Sequence, residues 1–226
     1  MNKKMIITAI FISGLILASF ISTGKTYAQG MYYEGYGNPY PVSSLMFDVG
    51  FTSIPFDTGA LPNGQAFSDY FNNPGYKIGI GYGYLLNRYL QIHGMVNYYN
   101  YTSQTVTVVV GGVAYPYELN NADVWTYKVG LDGYFIGDYL GPGFGAYVLG
   151  DIGGEYLSST TLQNPEQGNY NPAYSNSSGI TVDIGVGVSY NFTPQTALYG
   201  DVEYAYFSAS PHFSAMPVTV GIRYNF

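Results

Sequence analysis

The chain contains no cysteine, which excludes disulfides, thiolate metal sites and a lipid anchor on an N-terminal cysteine. Charge is scarce, with 7 Lys and Arg against 14 Asp and Glu in 226 residues. Nucleic-acid binding needs clustered basic side chains, so that class of partner is excluded. Two histidines cannot build a histidine-rich metal centre. Gly79, Gly81 and Gly83 lack the spacing and the following helix of a nucleotide loop. No cofactor is expected. Beyond residue 21 no apolar run is long enough for a membrane helix.

What remains abundant is Tyr and Gly, at 27 and 30 residues. Residues 1–28 read as a cleaved signal peptide. Lys3 and Lys4 precede an apolar run over residues 5–21, and Thr26-Tyr27-Ala28 places small residues before Gln29. Loss of Lys3, Lys4 and Lys25 with this leader leaves four basic residues against fourteen acidic ones, a formal charge of −10. Residues 29–42, rich in Tyr, Gly and Pro and without a period, read as a flexible periplasmic lead-in. Residues 43–226 read as one barrel domain.

The closing nine residues set the pattern. Val218, Val220, Ile222, Tyr224 and Phe226 share one face of a strand, and Thr219, Gly221, Arg223 and Asn225 share the other. The same alternation predicts strands over 43–52, 75–85, 89–101, 124–135, 143–156, 179–192, 196–207 and 218–226. Long connections at 53–74, 102–123, 157–178 and 208–216 alternate with short turns at 86–88, 136–142 and 193–195. Within the second long connection, residues 105–110 followed by Gly111-Gly112 read as a hairpin extending the sheet beyond the membrane. Eight strands of about 9–11 residues, with loops sorted by length, predict an all-β, eight-stranded antiparallel up-and-down transmembrane β-barrel. Lipid around such a barrel satisfies no backbone group, so strand eight must close onto strand one.

Assigning faces sorts the charges. Asp48, Lys77, His93, Lys128, Asp132, Asp151, Glu155, Asp183, Asp201, Glu203 and Arg223 all point to the lumen, and Arg88 lies at a periplasmic turn. A Lys or Arg facing lipid at mid-bilayer would cost about 2–4 kcal/mol, which supports this register. The inward ionisable groups are expected to form a structural ion-pair network in a narrow lumen. Arg223 is expected to pair with Asp48, Asp201 or both. The competing reading is a cation-preferring pore, opposed by inward Tyr99, Tyr134, Tyr147 and Tyr199, which would fill the space.

The terminal pattern resembles the closing strand of bacterial outer-membrane barrels, in which a C-terminal Phe and alternating apolar residues signal the assembly machinery. Ile222, Tyr224 and Phe226 carry that resemblance. Residues 43–226 as a whole resemble the small eight-stranded barrels grouped with OmpX, OmpW and the OmpA membrane domain. The resemblance implies export through the periplasm into the outer membrane of a Gram-negative-type cell. It implies contact with outer-membrane lipid and with the barrel-assembly machinery through the C-terminal strand. With no peptidoglycan-binding domain after Phe226, an OmpA-like cell-wall tether is not expected.

His212-Phe-Ser214 resembles the His-x-Ser pair of outer-membrane lipid A deacylases, but no carboxylate is placed to orient the histidine, and catalysis is not expected. The long loops, with Asn72-Asn-Pro74, Tyr115-Pro-Tyr117 and Asn169-Tyr-Asn-Pro172, offer Tyr and Asn for an extracellular ligand. The expected role is therefore structural or surface-interacting. The alternative is a narrow cation-preferring or small-solute channel.

Overall fold

The computed structural model describes residues 43–57, 74–102, 106–110, 113–119, 121–158, 160–163 and 170–226. In chain order the strands are β1 (Ser43–Asp57), β2 (Gly75–Asn87), β3 (Leu90–Tyr101), β4 (Val106–Val110), β5 (Val113–Leu119), β6 (Ala122–Ile136), β7 (Gly143–Leu157), β8 (Thr160–Gln163), β9 (Tyr170–Tyr174), β10 (Ser177–Asn191), β11 (Thr196–Phe207) and β12 (Phe213–Asn225). Eight of them close a barrel in the order β1-β12-β11-β10-β7-β6-β3-β2. Every pair is antiparallel, so the predicted fold class holds.

Closure rests on the seam between β1 and β12. Their register runs from Ser44 opposite Asn225 to Asp57 opposite Phe213, with an irregularity between Ser53 and Phe56. Ser43 and Phe226 exchange two backbone hydrogen bonds at its short-turn end, of 3.2 and 2.8 Å. Gly50 is required at this seam, because a Cβ there would collide with the Val218 carbonyl and the Thr219 backbone.

The outward face is apolar, as the alternation demands: Phe47, Val49, Ile80, Leu131, Ile152, Val186 and Ile222 are all about half exposed in the isolated protein. Two residues whose place in the alternation puts them on the outward face are nevertheless covered. The Tyr82 hydroxyl donates to Ser43 Oγ at 2.7 Å and its ring meets that of Phe226 at 6.3 Å, and Ala146 is buried as well. The parity of their strands is unchanged.

The end of the barrel that carries the long connections departs most from expectation. The loop read as 53–74 begins as strand, since β1 runs on to Asp57. The loop read as 208–216 shrinks to 208–212, because β12 starts at Phe213 rather than 218. Pro217 explains why that extension is hidden in the sequence. It has no N–H, and the β11–β12 ladder is interrupted between the Val202–Val218 and Ala205–Ala215 pairs. The β1 side of the same strand carries the ladder past it, with Pro217 opposite Thr52.

The second and third long connections are largely ordered strand. The expected hairpin is present as β4 and β5, joined across residues 111–112. The third connection, read as a polar loop, contains β8 and β9. Together they form a separate four-stranded sheet in the order β4-β5-β8-β9, instead of a simple extension of the barrel wall.

Candidate functional site: a charged lumen between two aromatic ends

The lumen is layered. At mid-depth the inward positions of seven strands bring Asp48, Lys77, His93, Lys128, Asp132, Asp151, Asp183, Asp201 and Glu203 together, each buried. Lys77 Nζ lies 2.7 Å from Glu203 Oε1 and 3.9 Å from Asp48 Oδ1. Lys128 Nζ contacts Asp183, and sits 3.4 Å from both Asp151 Oδ2 and Glu203 Oε2. His93 bridges two carboxylates, with Nε2 at 2.8 Å from Asp151 and Nδ1 at 3.1 Å from Asp132. The Tyr147 hydroxyl donates to Asp201, which also accepts from Thr219 Oγ1 at 3.3 Å.

Asp151, Asp183 and Glu203 are placed closely enough to resemble a metal-ligating triad. The Lys128 ammonium contacts all three, so the position a metal would take is held by a side-chain cation. This arrangement fits an internal ion network better than a metal centre.

Arg223 does not pair with Asp48 or Asp201. It is buried, but donates to the Tyr134 hydroxyl at 3.1 Å and to Asn191 Oδ1 at 3.0 Å, with Tyr139 and Tyr134 flanking its guanidinium. The register supplies the reason. Asp48 stands opposite Gly221 and Asp201 opposite Thr219, two and four residues along β12 from Arg223. At about 3.3 Å per residue those carboxylates lie one to two layers farther from the short-turn end.

The short-turn end is closed by an aromatic cluster of Leu85, Tyr134, Tyr139, Tyr147 and Leu149. Tyr139 was not identified from the sequence. It belongs to the short turn after β6, where no period marks a face, yet it is fully buried. The turn is tied across the barrel mouth. Tyr139 N donates to the Arg88 carbonyl at 3.0 Å, and Asn191 Nδ2 donates to the carbonyls of Asp138 and Gly141 at 2.7 and 2.8 Å. Asp138 accepts from Arg88, Leu140 N and Gly141 N. Burial pushes the Asp138 carboxyl up, but the Gly141 N–H, the Arg88 guanidinium and the Leu140 N–H together hold it below its ordinary value.

A second cluster closes the opposite, long-loop end. Tyr99, Tyr101, Phe207, Phe213 and Ile54 pack there with Val124 and Leu157. Tyr101 and Phe213 meet edge to face at 5.6 Å, and Phe207 stacks on Phe213 at 4.7 Å. Of the tyrosines expected inside, Tyr99, Tyr134, Tyr147 and Tyr199 are all buried, and Tyr101 joins them. Between the two ends a cavity of about 40 Å³ remains, room for a few water molecules at most.

The other sequence candidates fall elsewhere. Ser214 shares a 2.8 Å hydrogen bond with the Tyr204 hydroxyl, and among the described residues no bond joins it to His212. Tyr115-Pro-Tyr117 lies in β5, and Tyr170–Pro172 in β9. Asn72, Asn73 and Asn169 lie outside the described residues, as does the leader with its lead-in.

The sequence matches a family model described as an outer membrane protein β-barrel domain over residues 21–226. Among solved structures the fold is similar to Neisserial surface protein A, at TM-score 0.54 and 15% identity over 81% of this chain and 97% of that one. It is also similar to Ail, the attachment invasion locus protein of Yersinia pestis, in complex with the heparin analogue sucrose octasulfate. There the TM-score is 0.51 and the identity 11%, over 83% of this chain and 99% of Ail. At such identities the likeness is one of fold alone. No curated protein sequence matches the chain.

Proposed function

We propose that this chain, which belongs to the outer membrane protein β-barrel domain family and so sits in the outer membrane, has a structural and surface-interacting role without catalysis. The observation that carries this reading is the filled lumen. Two aromatic clusters and an ion network leave about 40 Å³ of internal space, so the surface available for function lies beyond the membrane. There β4, β5, β8 and β9 raise a sheet whose outer strands have free backbone edges among the described residues, a form suited to strand-addition partners.

The chemistry of that partner is restricted by charge. Ail binds a sulfated heparin analogue, but such a ligand does not transfer to this chain. Outside the leader, its basic residues are Lys77, Lys128 and Arg223 in the lumen and Arg88 at the opposite mouth. No Lys or Arg stands in the long connections to meet sulfate. A neutral or basic protein surface fits better.

In this reading residues 1–28 direct export and are removed, and residues 29–42 remain periplasmic. Ile222, Tyr224 and Phe226 present the barrel-assembly signal, while the outward apolar band meets outer-membrane lipid. The inward ionisable residues serve closure of the barrel instead of conduction.

The test pairs two measurements. Planar bilayers containing the folded barrel are expected to show no steady conductance. Replacing residues 103–120 and 159–174 by short turns is expected to abolish binding of the protein to neutral or basic protein surfaces while leaving heat-modifiable mobility intact. Steady cation-selective openings of the unaltered protein would instead establish the channel.

A further inference from the structure

Two oxygens at the central cavity have no hydrogen-bond donor: Asp48 Oδ1 and Asn97 Oδ1. Their residues are 2% and 0% exposed, so water outside the barrel cannot satisfy them. They converge on one place. Gly79 stands between Asp48 and Asn97 in the ladder, and the point its missing Cβ would occupy lies 2.6 Å from Asp48 Oδ1 and 2.5 Å from Asn97 Oδ1. The Asn97 amide nitrogen is committed to Thr126 Oγ1 at 3.2 Å, which directs the amide oxygen into the notch.

The charge balance points the same way. Asp48, Asp132, Asp151, Glu155, Asp183, Asp201 and Glu203 face Lys77, Lys128, Arg223 and His93 within the lumen among the described residues. With His93 protonated and the carboxyls ionised, negative charge is in excess by three. We propose that the notch over Gly79 binds a monovalent cation of the sodium class, held by Asp48 Oδ1 and Asn97 Oδ1 and completed by water in the adjoining cavity. A calcium ion would need six to eight oxygens and more than one carboxylate. Here one carboxylate oxygen lacks a hydrogen-bond donor, with Lys77 Nζ paired to it only at 3.9 Å. The aromatic ends imply that the ion enters before the barrel closes and exchanges slowly afterwards.

The chain is refolded into detergent micelles in sodium chloride or in choline chloride at matched ionic strength, and the midpoint of its heat-modified mobility is followed. The midpoint is expected to rise with sodium and level off, by about 3–6 °C once sodium is ten times its dissociation constant, and to stay flat in choline. Gly79→Ala places a methyl group in the notch and is expected to lose the sodium-dependent rise. Equal midpoints in the two salts at every ionic strength overturn the proposal. Should Gly79→Ala not fold, crystals of the unaltered protein grown in rubidium chloride decide. An anomalous peak at the notch supports the site, and a water molecule there without that signal overturns it.

Discussion

The guanidinium carbon of Arg223 stands 4.5 Å from the centroid of the Tyr139 ring. Arg223 belongs to the closing strand and Tyr139 to the turn after β6, on the other side of the barrel. The contact therefore couples closure of the barrel to the shape of one periplasmic turn. A planar cation over a ring face is worth more in this dry setting than at a surface.

Tyr139→Ala is expected to destabilise the barrel by about 3–5 kcal/mol, the usual loss for a large buried aromatic. Tyr139→Phe is expected to be close to neutral, since the hydroxyl has no hydrogen-bond partner. Urea unfolding in lipid vesicles, followed by tryptophan fluorescence of Trp125, separates the two. A Phe variant as unstable as the Ala variant would show that the hydroxyl, and not the ring, holds the turn.

Lys128→Met is expected to cost on the order of 3–5 kcal/mol, because it leaves Asp151, Asp183 and Glu203 converging without their shared ammonium. The same urea titration measures it. Adding Asp183→Asn to Lys128→Met should recover part of the loss, as it removes one uncompensated charge. No recovery would mean that packing of the lysine stem dominates.

The Arg88–Asp138 contact lies outside the membrane and reports on acid. Asp138 titrates lower in the folded protein than its ordinary 3.8. The sign follows: the folded state binds its proton less readily, so the stabilisation is complete above the unfolded value and is lost as pH falls through the folded one. The stability difference between the unaltered chain and Asp138→Asn should hold constant across about pH 5–8 and vanish in stronger acid. A difference that persists at the acid end would mean that the asparagine disturbs the turn by some other route.

Gly50→Val is expected to prevent closure, because its side chain would meet the Val218 carbonyl on the partner strand of the seam. Gly154→Ala, on the outward face with nothing within 4 Å, should change stability by less than about 0.5 kcal/mol. Gel mobility before and after heating tests both. A heat-modifiable Gly50→Val barrel would show that the seam can shift to accept a side chain.

Much of this architecture is legible in the chain itself, because period-two alternation is a local property. It determines that Ile222 faces outward and Arg223 the lumen, that eight strands form the barrel, and that charge is kept inside. The family match and the closed sheet order agree with that reading. Alternation is silent, however, on depth. A residue's partners across a lumen depend on how each strand is staggered against the next, which no single strand encodes. Arg223 and Asp48 share an interior yet not a layer, so Arg223 meets Tyr134, Tyr139 and Asn191 instead.

Turns and strand ends were hidden for a related reason. Tyr139 sits where no repeat marks a face, and only the bonds from Arg88, Asn191 and Asn225 draw its turn across the mouth. Phe213 is separated from the legible part of β12 by Pro217, whose missing N–H is tolerated because β1 continues the ladder on the other side. The pairing of β5 with β8 joins two connections that are remote in sequence, each too short to announce a sheet alone. The sequence by itself determined which side of the wall each residue takes, since that follows from the geometry of one extended chain. Only the tertiary structure decided which residues meet, because contact across a barrel depends on the stagger that closing all eight strands imposes.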